Sequence, residues 1–210
     1  MSLLYREAGV DLNAAEEMAA RITNRLGSKL FAGFLPVSAI KSYDHPVLVS
    51  SIDGVGSKAR LACRLDRLNG LGQDLVHHCV NDIAVHGATP LLLLDYLAFH
   101  HLDPTIAETL VESIARACER LGMTLAGGET AEMPTVLAPG ELDIAGAIVG
   151  VAEQVQIVDG SAIREGDLLL GLPSSGPHTN GFSLIQHVLP EGAYAEELMP
   201  GFTVADALLE

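Results

Sequence analysis

The stretch Val47-Leu-Val-Ser-Ser-Ile-Asp-Gly-Val-Gly-Ser-Lys58 predicts a β-strand that ends at a carboxylate and enters a glycine turn. Two glycines would let the backbone approach an anion, and the hydroxyl and lysine that follow could complete a cradle for a magnesium-bound phosphate. The spacing is not that of a Walker A loop, which needs GxxxxGK followed by Ser or Thr. An ordinary strand-to-helix turn with a solvated lysine has the same pattern, so this stretch alone leaves both interpretations open.

Apolar periodicity on both sides of this stretch predicts alternating strands and helices, which is the pattern of an α/β fold. Further strands are predicted over Leu91–Ala98, Met123–Gly127, Leu142–Glu153 and Asp167–Pro173. Helices are predicted from a capping box at Asn13–Glu16 to Gly27, from Leu71 to near Gly87, from Asp103 to Gly122 and over Phe182–Leu189. The stretch between Gly27 and Ser42 is expected to be a loop.

A polar double turn between Asp159 and Asp167 predicts the main domain boundary. It separates a domain at residues 1–160 from the beginning of a second one at residues 161–210. A segment as short as the second cannot hold a full core of its own. It is therefore expected to be truncated or to depend on a partner.

The 210-residue chain is acidic, with 12 Lys and Arg residues against 27 Asp and Glu residues and a formal net charge of −15. The imbalance is concentrated after residue 120, where one basic residue, Arg164, stands against 13 acidic ones. Nucleic acids and anionic membranes bind through clustered Lys and Arg, so neither is an expected partner. A phosphate-bearing ligand would have to be held by glycine-rich backbone, a few cations or a bound metal.

Hydropathy and cysteine spacing predict a cytoplasmic protein. The apolar run Leu91–Leu94 is far short of the roughly 20 residues that a membrane-spanning helix needs. The N-terminal segment carries Arg6 and Glu7 where a signal peptide would need apolar residues. The 3 cysteines lack CxxC spacing, which predicts buried free thiols rather than disulfides or a zinc site.

Asn81 and Asp82 lie in the predicted second helix, and Asp82 falls at the edge of its apolar face, where an unpaired charge is costly. His78, Asp82 and His86 recur every four residues and could imitate a transition-metal ladder, but a helical His-Asp pair is more often a surface contact. We favour Asp82 as an oxygen ligand for Mg²⁺ shared with Asp53. An acid that caps a neighbouring loop is the alternative.

Two further segments carry more glycine and polar residues than packing requires. In Gly127-Gly-Glu-Thr-Ala-Glu-Met-Pro134, two glycines follow a strand and two carboxylates stand three residues apart. Paired acids can cleave glycosides, but sugar clefts are usually rich in aromatic residues and this chain has no Trp, so contact with a metal or nucleotide is favoured. In Ser174-Ser-Gly-Pro-His-Thr-Asn-Gly181, hydroxyls and backbone N–H groups before a helix would face an anion.

Six segments in this order resemble the phosphoribosylformylglycinamidine cyclo-ligase family, also called aminoimidazole ribonucleotide synthetase, of purine biosynthesis. They are Tyr5–Asp11, Asp53–Lys58, Val80–Asp82, Leu94–Tyr96, Gly127–Pro134 and Ser174–Gly181. The resemblance covers essentially the whole chain. The last two segments point to the cyclo-ligase among superfamily members that include selenophosphate synthetase, thiamine-phosphate kinase and a hydrogenase-maturation dehydratase.

The resemblance implies an enzyme that uses ATP to close formylglycinamidine ribonucleotide to aminoimidazole ribonucleotide, with release of ADP and phosphate. It implies an α/β fold with a small mixed sheet and helices on one face, followed by the start of a second α/β domain. Two copies are expected to form a homodimer in which the two sheets join into a barrel, with ATP bound across the interface.

The resemblance also implies roles for residues at the matching positions. Ligands of Mg²⁺ are implied at Asp53, Asp82 and Glu129. Contacts with ATP are implied at Asp53, Gly54, Gly56, Ser57, Lys58, Asn81, Asp82, Gly127, Gly128, Glu129 and Thr130. Contacts with the substrate are implied at Ser175, Gly176, His178 and Asn180. Lys58 would act on the phosphates, and His178 would shuttle a proton or position the substrate.

Two departures from the family pattern affect these expectations. Ser57 stands where the family usually has Thr, which retains the hydroxyl. The family continues beyond the position of Glu210 into most of a second α/β domain, so the 210-residue form is expected to bind ATP but turn over poorly. Two other functions stay open: a non-catalytic nucleotide-binding dimer, and a kinase of the same superfamily.

Overall fold

The computed structural model describes residues 7, 9–26 and 33–209, with the side chains of Arg25 and Leu26 excepted. Its described helices are α1 (Leu12–Leu26), α2 (Ser57–Arg64), α3 (Leu71–Ala84), α4 (Pro104–Arg120), α5 (Phe182–Val188) and α6 (Val204–Leu209). Its described strands are β1 (Pro46–Gly54), β2 (Thr89–Phe99), β3 (Thr124–Glu132), β4 (Leu142–Glu153), β5 (Glu197–Met199) and β6 (Phe202–Thr203). Short 3-10 helices cover Val37–Ile40, Gln154–Gln156 and Glu191–Ala195. None of the helices in these ranges is both long and apolar enough to cross a membrane.

Part of the predicted N-terminal organisation falls outside the described residues. This part includes the predicted helix end at Gly27, the first residues of the loop that follows, and residues 5, 6 and 8 of the Tyr5–Asp11 segment. The remainder of the predicted loop contains a 3-10 helix at Val37–Ile40.

Four strands form one mixed sheet in the order β1-β4-β2-β3. β4 pairs antiparallel with both β1 and β2, whereas β2 and β3 are parallel. Parallel neighbours need a crossover connection, and α4 supplies it between β2 and β3. The predicted small mixed sheet is therefore confirmed, and β5 and β6 form a separate two-stranded hairpin.

One face of the sheet packs against α3 and α4 and holds the core. Successive side chains of a strand project to opposite faces, so alternate residues of β2 and β4 reach this core. Its fully buried side chains include Leu93, Leu97, Ile144 and Ile148 from the strands and Leu75, Ile83, Leu110 and Ile114 from the helices. Burial of each such side chain contributes about 1.5–3 kcal/mol relative to leaving it in water.

The opposite side of the sheet, which we call the open face, presents Leu48, Ile52 and Leu94. These side chains are exposed, and Ile52 is exposed to 74%. The alternation in β1 is strict, because Val47, Val49 and Ser51 are partly buried between exposed neighbours.

Aspartates cap the starts of two helices. The Asp103 carboxylate accepts from two backbone N–H groups of α4, at 2.8 and 3.3 Å, and Pro104 holds the first helical position, as predicted. At α1 the predicted cap at Asn13 is wrong. Asp11 caps this helix, because its carboxylate accepts from the backbone N–H groups of Asn13 and the next residue.

Two strand predictions need correction. β3 does not end at Gly127 but continues to Glu132, so most of the glycine-rich motif lies inside a strand. The predicted strand over residues 167–173 is wrong, since this segment is irregular and Leu169 is 98% exposed. A strand is stabilised by a neighbour that satisfies its N–H and C=O groups, and among the described residues this segment pairs with none.

The C-terminal elements contact the core rather than forming a separate one. Phe182, Tyr194 and Leu208 are buried within the same cluster of apolar side chains as the sheet and α3. An exposed ion pair between Arg67 and Asp206 also joins the turn after α2 to α6. The predicted division of the chain near residue 160 stays a prediction.

The cysteines are free thiols, as their spacing predicts. Cys79 and Cys118 are buried, and Cys63 is half-buried. Burial raises the pKa of Cys79 to about 11 and that of Cys118 to about 12, so both stay protonated at neutral pH.

Candidate functional site

A cavity of about 290 Å³ lies between α3 and the segment Ser174–Gly181, which we call loop 174–181. Its lining residues are polar and comprise Gln73, Asp74, His77, His78 and Asn81 from α3 and Ser175, His178 and Thr179 from the loop. The structure thus brings the predicted site residue Asn81 together with two others, Ser175 and His178, that lie far from it in the sequence.

The cavity exists because α3 is amphipathic. Asp74, His78 and Asn81 recur at intervals of three or four residues, which places them on one side of a helix. The apolar residues of α3, at the predicted four-residue spacing, are buried on the other side against the sheet. Packing of the apolar side therefore fixes the direction in which the polar side projects.

Asp53, His78 and Thr179 form a hydrogen-bonded chain beside this cavity. His78 Nε2 lies 2.6 Å from Oδ2 of Asp53, and His78 Nδ1 lies 2.7 Å from Oγ1 of Thr179. A carboxylate can only accept, so the ring proton on Nε2 faces Asp53. Oδ1 of Asp53 also accepts from the backbone N–H of Gly54 at 2.7 Å. The predicted metal ligand is therefore connected to both α3 and loop 174–181.

Lys58 is buried rather than solvated. It is 1% exposed, its Nζ lies 2.7 Å from Oδ2 of Asp74, and the same atom lies 5.4 Å from the centre of the Phe182 ring. Among the residues that the structure describes, neither charged atom has a well-aligned hydrogen-bond partner, so the contact is an ion pair with unused hydrogen-bonding capacity. Burial raises the pKa of Asp74, and Lys58 partly opposes this shift. The interpretation of Lys58 as a solvated lysine is wrong, and its action on phosphates stays a prediction.

Asp82 connects α3 to β1. Its Oδ2 accepts from the Ser51 hydroxyl at 2.6 Å. Ser51 and Asp53 are two residues apart in β1 and project to the same face, so Asp82 and Asp53 are neighbours. His86 instead contacts a backbone carbonyl, with Nδ1 and the oxygen 2.9 Å apart, and no histidine ladder forms. Within the described residues there is no group of three or more His, Cys, Asp or Glu side chains placed to hold a metal ion.

Glu129 lies apart from these two acids. One row of paired residues crosses the sheet from Gly54 at one edge, through Tyr96, to Glu129 at the other edge. Three strand spacings therefore separate Gly54 from Glu129, which corresponds to roughly 14 Å. Paired residues share a face, so Glu129 projects with Tyr96 on the open face, away from α3. Within this chain Glu129 therefore lies on the other side of the sheet from Asp53 and Asp82, and a metal contact of Glu129 stays a prediction.

Backbone geometry accounts for both glycines of the β3 motif. Gly127 has a φ of +143° and lies where the register between β2 and β3 shifts. A Cβ at Gly128 would lie 2.4 Å from Oδ1 of Asp95. Asp95 is itself buried, and desolvation raises its pKa to about 7. A contact of these glycines with a nucleotide stays a prediction.

Glu132, the second acid of the motif, has a structural role. Its buried carboxylate accepts from the backbone N–H groups of Asp11 and Leu102 at 2.5 and 3.0 Å. Glu129 and Glu132 project to opposite faces of β3, so they do not form a pair of catalytic acids. Thr130, between them, is half-buried in the strand.

Loop 174–181 carries the predicted substrate residues. Ser174 Oγ lies 3.1 Å from Nε2 of His178 and donates to the Gly176 carbonyl at 2.7 Å. Ser175 and His178 line the cavity, whereas Asn180 is exposed and lies outside its lining.

The glycine turn after β1 leads directly into α2. Gly56 has a φ of +61°, and a Cβ there would meet no atom of residues 9–26 or 33–209 within 4 Å, so one side of the turn is open in this part of the chain. Ser57 begins α2, and its hydroxyl lies 2.6 Å from the Ser183 hydroxyl of α5. The turn thus lies next to the helix that follows loop 174–181.

Several cavity residues are not among the predicted ATP, metal or substrate contacts: Gln73, Asp74, His77, His78 and Thr179. The helical period carries a signal for some of them, because His77 and Asp74 precede Asn81 by one and two turns. Burial lowers the pKa of His77, and the nearby Arg120 adds to this effect. His77 is therefore favoured as a neutral ring in the cavity wall.

Replacing Lys58 by Met should lower the free energy of unfolding by about 3 kcal/mol, because the buried Asp74 carboxylate would lose its partner. The free energy of unfolding should fall by less in the double variant Lys58→Met/Asp74→Asn, since neither charge remains. Arg60→Met breaks an exposed ion pair of the same helix and should cost less than about 1 kcal/mol. Urea denaturation measures all three. A Lys58→Met variant as stable as the unmodified protein would show that the pair does not support the fold.

Comparisons with known proteins agree with the resemblance in the sequence motifs. The family model "AIR synthase related protein, N-terminal domain" matches residues 37–152. A protein from Nitrosococcus oceani named phosphoribosylformylglycinamidine cyclo-ligase is 46% identical, over 99% of this chain and 61% of its own length. A protein of the same name from Cupriavidus pinatubonensis is 48% identical, over 89% of this chain and 56% of its own length. The chain thus spans about three fifths of the length of these relatives.

Among solved structures, the fold is similar to that of thiamine-monophosphate kinase from Stenotrophomonas maltophilia. The TM-score is 0.50 at 19% identity, over 68% of this chain and 42% of that one. Identity at this level shows a shared fold alone. Since the family model covers more than half of the residues and the named relatives are 46% and 48% identical, this chain belongs to the phosphoribosylformylglycinamidine cyclo-ligase family.

Proposed function

We propose that this chain forms the nucleotide-binding region and part of the substrate-binding region of an ATP-dependent cyclo-ligase. Its reaction would close formylglycinamidine ribonucleotide to aminoimidazole ribonucleotide. The observation that carries the proposal is one cluster in which two acids, a buried lysine and a polar cavity meet along α3 and the end of β1. The name of the relatives supports the reaction, and the cluster supports its location.

The reaction uses ATP because the oxygen that must leave the substrate is a poor leaving group. The oxygen of the formyl amide leaves poorly, and transfer of the γ-phosphoryl group of ATP to that oxygen releases ADP and weakens the carbon–oxygen bond. The amidine nitrogen then attacks the same carbon, the five-membered ring closes and phosphate leaves with the oxygen. A protein contributes to such a reaction mainly by positioning the groups and neutralising charge.

Asp53 and Asp82 would hold the Mg²⁺ that accompanies ATP and neutralises part of its phosphate charge. Mg²⁺ prefers carboxylate oxygens, and these two carboxylates are neighbours at the end of β1. A carboxylate has about four lone-pair sites, so the bonds from Ser51 and His78 leave room for an ion. The donor set therefore fits the metal.

Lys58 would contribute its unused hydrogen-bonding capacity to the phosphates, with Gly54, Gly56 and Ser57 at the turn beside it. Ser175, Gly176, His178 and Asn180 would contact the substrate from loop 174–181. His178 would orient the substrate or move a proton through its ring nitrogens.

The open face supports a homodimer in which two sheets join into a barrel and ATP binds across the interface. Exposed apolar side chains on one face of a sheet favour coverage by another surface. A second copy would also offer a way for Glu129, which lies on the open face, to approach a nucleotide.

Nucleotide binding should require Mg²⁺, because the carboxylates of Asp53 and Asp82 repel a free triphosphate. Asp53→Asn and Asp82→Asn should each weaken ATP binding by about 1–3 kcal/mol, the value of a lost charged contact. Asp44→Asn, at the opposite end of β1, should bind normally. Titration calorimetry with and without EDTA measures these affinities. Unchanged affinity in both site variants would remove the metal assignment.

Light scattering at micromolar concentration should give the mass of a dimer. Ile52→Asp should shift the mass towards the monomer, because it places a charge in the apolar interface. Val155→Asp changes an equally exposed apolar residue outside the sheet and serves as the control. A monomeric unmodified chain would contradict the shared barrel.

The proposed reaction is tested by assaying ADP release and aminoimidazole ribonucleotide together. The chain alone should bind ATP but form little product, because a substrate in an incompletely closed cleft loses positioning and is exposed to water. A version extended by the C-terminal segment of the Nitrosococcus oceani relative should form the product, and its Asp53→Asn variant should not. Equal turnover by both forms would show that the longer chain is unnecessary. A phosphorylated stable acceptor would instead indicate a kinase, and binding without turnover in either form a non-catalytic dimer.

A further inference from the structure

Thr179 anchors loop 174–181 to the body of the protein. It is 7% exposed, whereas its neighbours His178 and Asn180 are exposed. The loop has a second close contact at Gly176, where a Cβ would lie 2.7 Å from the Ala207 carbonyl oxygen of α6. The side chains that face the cavity thus depend on these two attachments for their position.

The partner of Thr179 is His78, which lies on a helix that cannot shift easily. α3 buries apolar residues against the sheet on both sides of His78 in the sequence. The imidazole is largely buried, with its side chain 14% exposed, and both of its nitrogens are engaged. Its orientation is therefore determined at both ends, by Asp53 on one side and by Thr179 on the other.

We propose that His78 is a positioning residue that bonds Asp53 through one ring nitrogen and Thr179 through the other, and so fixes loop 174–181 over the cavity. Ser175 and His178 then face the cavity in a defined geometry. The same ring links the end of β1, where a metal-bound nucleotide is proposed, to the loop that would contact the substrate. The identity of these ligands rests on the proposed function. The positioning role of His78 does not, because it concerns the protein without ligand.

Three substitutions of His78 separate its two hydrogen bonds. The amide of Asn can occupy the place of Nδ1 and retain Thr179, the amide of Gln can occupy the place of Nε2 and retain Asp53, and Phe retains neither. His86→Asn, two residues beyond the end of the same helix and outside the cavity lining, is the matched control.

Hydrogen–deuterium exchange of the chain without ligand measures the position of the loop. His78→Phe, His78→Gln and Thr179→Val should each raise exchange in residues 174–181 by up to about tenfold, the factor for one lost hydrogen bond. Exchange in α3 should stay unchanged. His78→Asn should retain most of the protection. The double variant His78→Phe/Thr179→Val should raise exchange in the loop no more than either single variant does.

Nitrogen-15 spectra of the His78 imidazole report on its two hydrogen bonds separately. If His78 only supported the fold, loss of the Thr179 hydroxyl would not change one ring nitrogen selectively. In the unmodified protein Nε2 should be protonated, and Thr179→Val should shift the Nδ1 resonance while leaving Nε2 in place. Unchanged loop exchange in folded His78→Phe and Thr179→Val would overturn the proposal. So would an increase spread equally over α3 and the sheet, because it would indicate general destabilisation.

Asp53→Asn distinguishes this inference from the proposed function. The amide that replaces the carboxylate can accept from Nε2 of His78 or donate to it, and the Thr179 hydroxyl can bond Nδ1 in either tautomer, so the loop should stay protected even though Mg²⁺-dependent ATP binding is weakened. Normal ATP binding by this variant and by Asp82→Asn, with a protected loop, would contradict the metal assignment alone. A loop that is unprotected in this variant but protected in Asp44→Asn would contradict the description of the hydrogen-bonded chain, because an amide acceptor should suffice.

Discussion

The site depends on the close packing of α3 across the sheet. Two glycines of β4 make this packing possible: a Cβ at Gly146 would lie 3.3 Å from the Cys79 sulfur, and one at Gly150 would lie 2.6 Å from Cδ1 of Ile83. Because β4 presents bare backbone here, the helix approaches closely and buries its apolar side. Its polar side is then held above the end of β1.

Once α3 is held in this position, its polar residues meet partners that come from distant parts of the chain. Asp74 pairs with Lys58 of α2, and Asp82 accepts from Ser51 of β1. His78 connects β1 with loop 174–181. A buried ion pair is a weak source of net stability, but it disfavours other arrangements, because a charge without its partner is costly to bury. These contacts therefore define one arrangement of strand, helix and loop.

Two surfaces remain apolar and exposed outside this cluster. On the open face, the apolar side chains of β1 and β2 alternate with residues that contribute to the core. The leucine-rich segment at residues 168–172 is irregular and almost wholly exposed, although its composition is that of a buried strand. Exposed apolar surfaces of this kind favour coverage by another surface.

The sequence by itself determined the local elements and the family. Short stretches rich in apolar residues predict β1, β2 and β4, an aspartate followed by proline predicts the start of α4, and the motifs identify the cyclo-ligase family. Such patterns are readable because they depend on neighbours within a few residues. Only the tertiary structure decided that Lys58 is buried, that Glu129 lies on the opposite face from Asp53, and that residues 167–173 pair with no strand in the described part of the chain. Each of these outcomes depends on contacts between residues far apart in the chain, and local periodicity carries no information on which distant side chain or strand will be the partner.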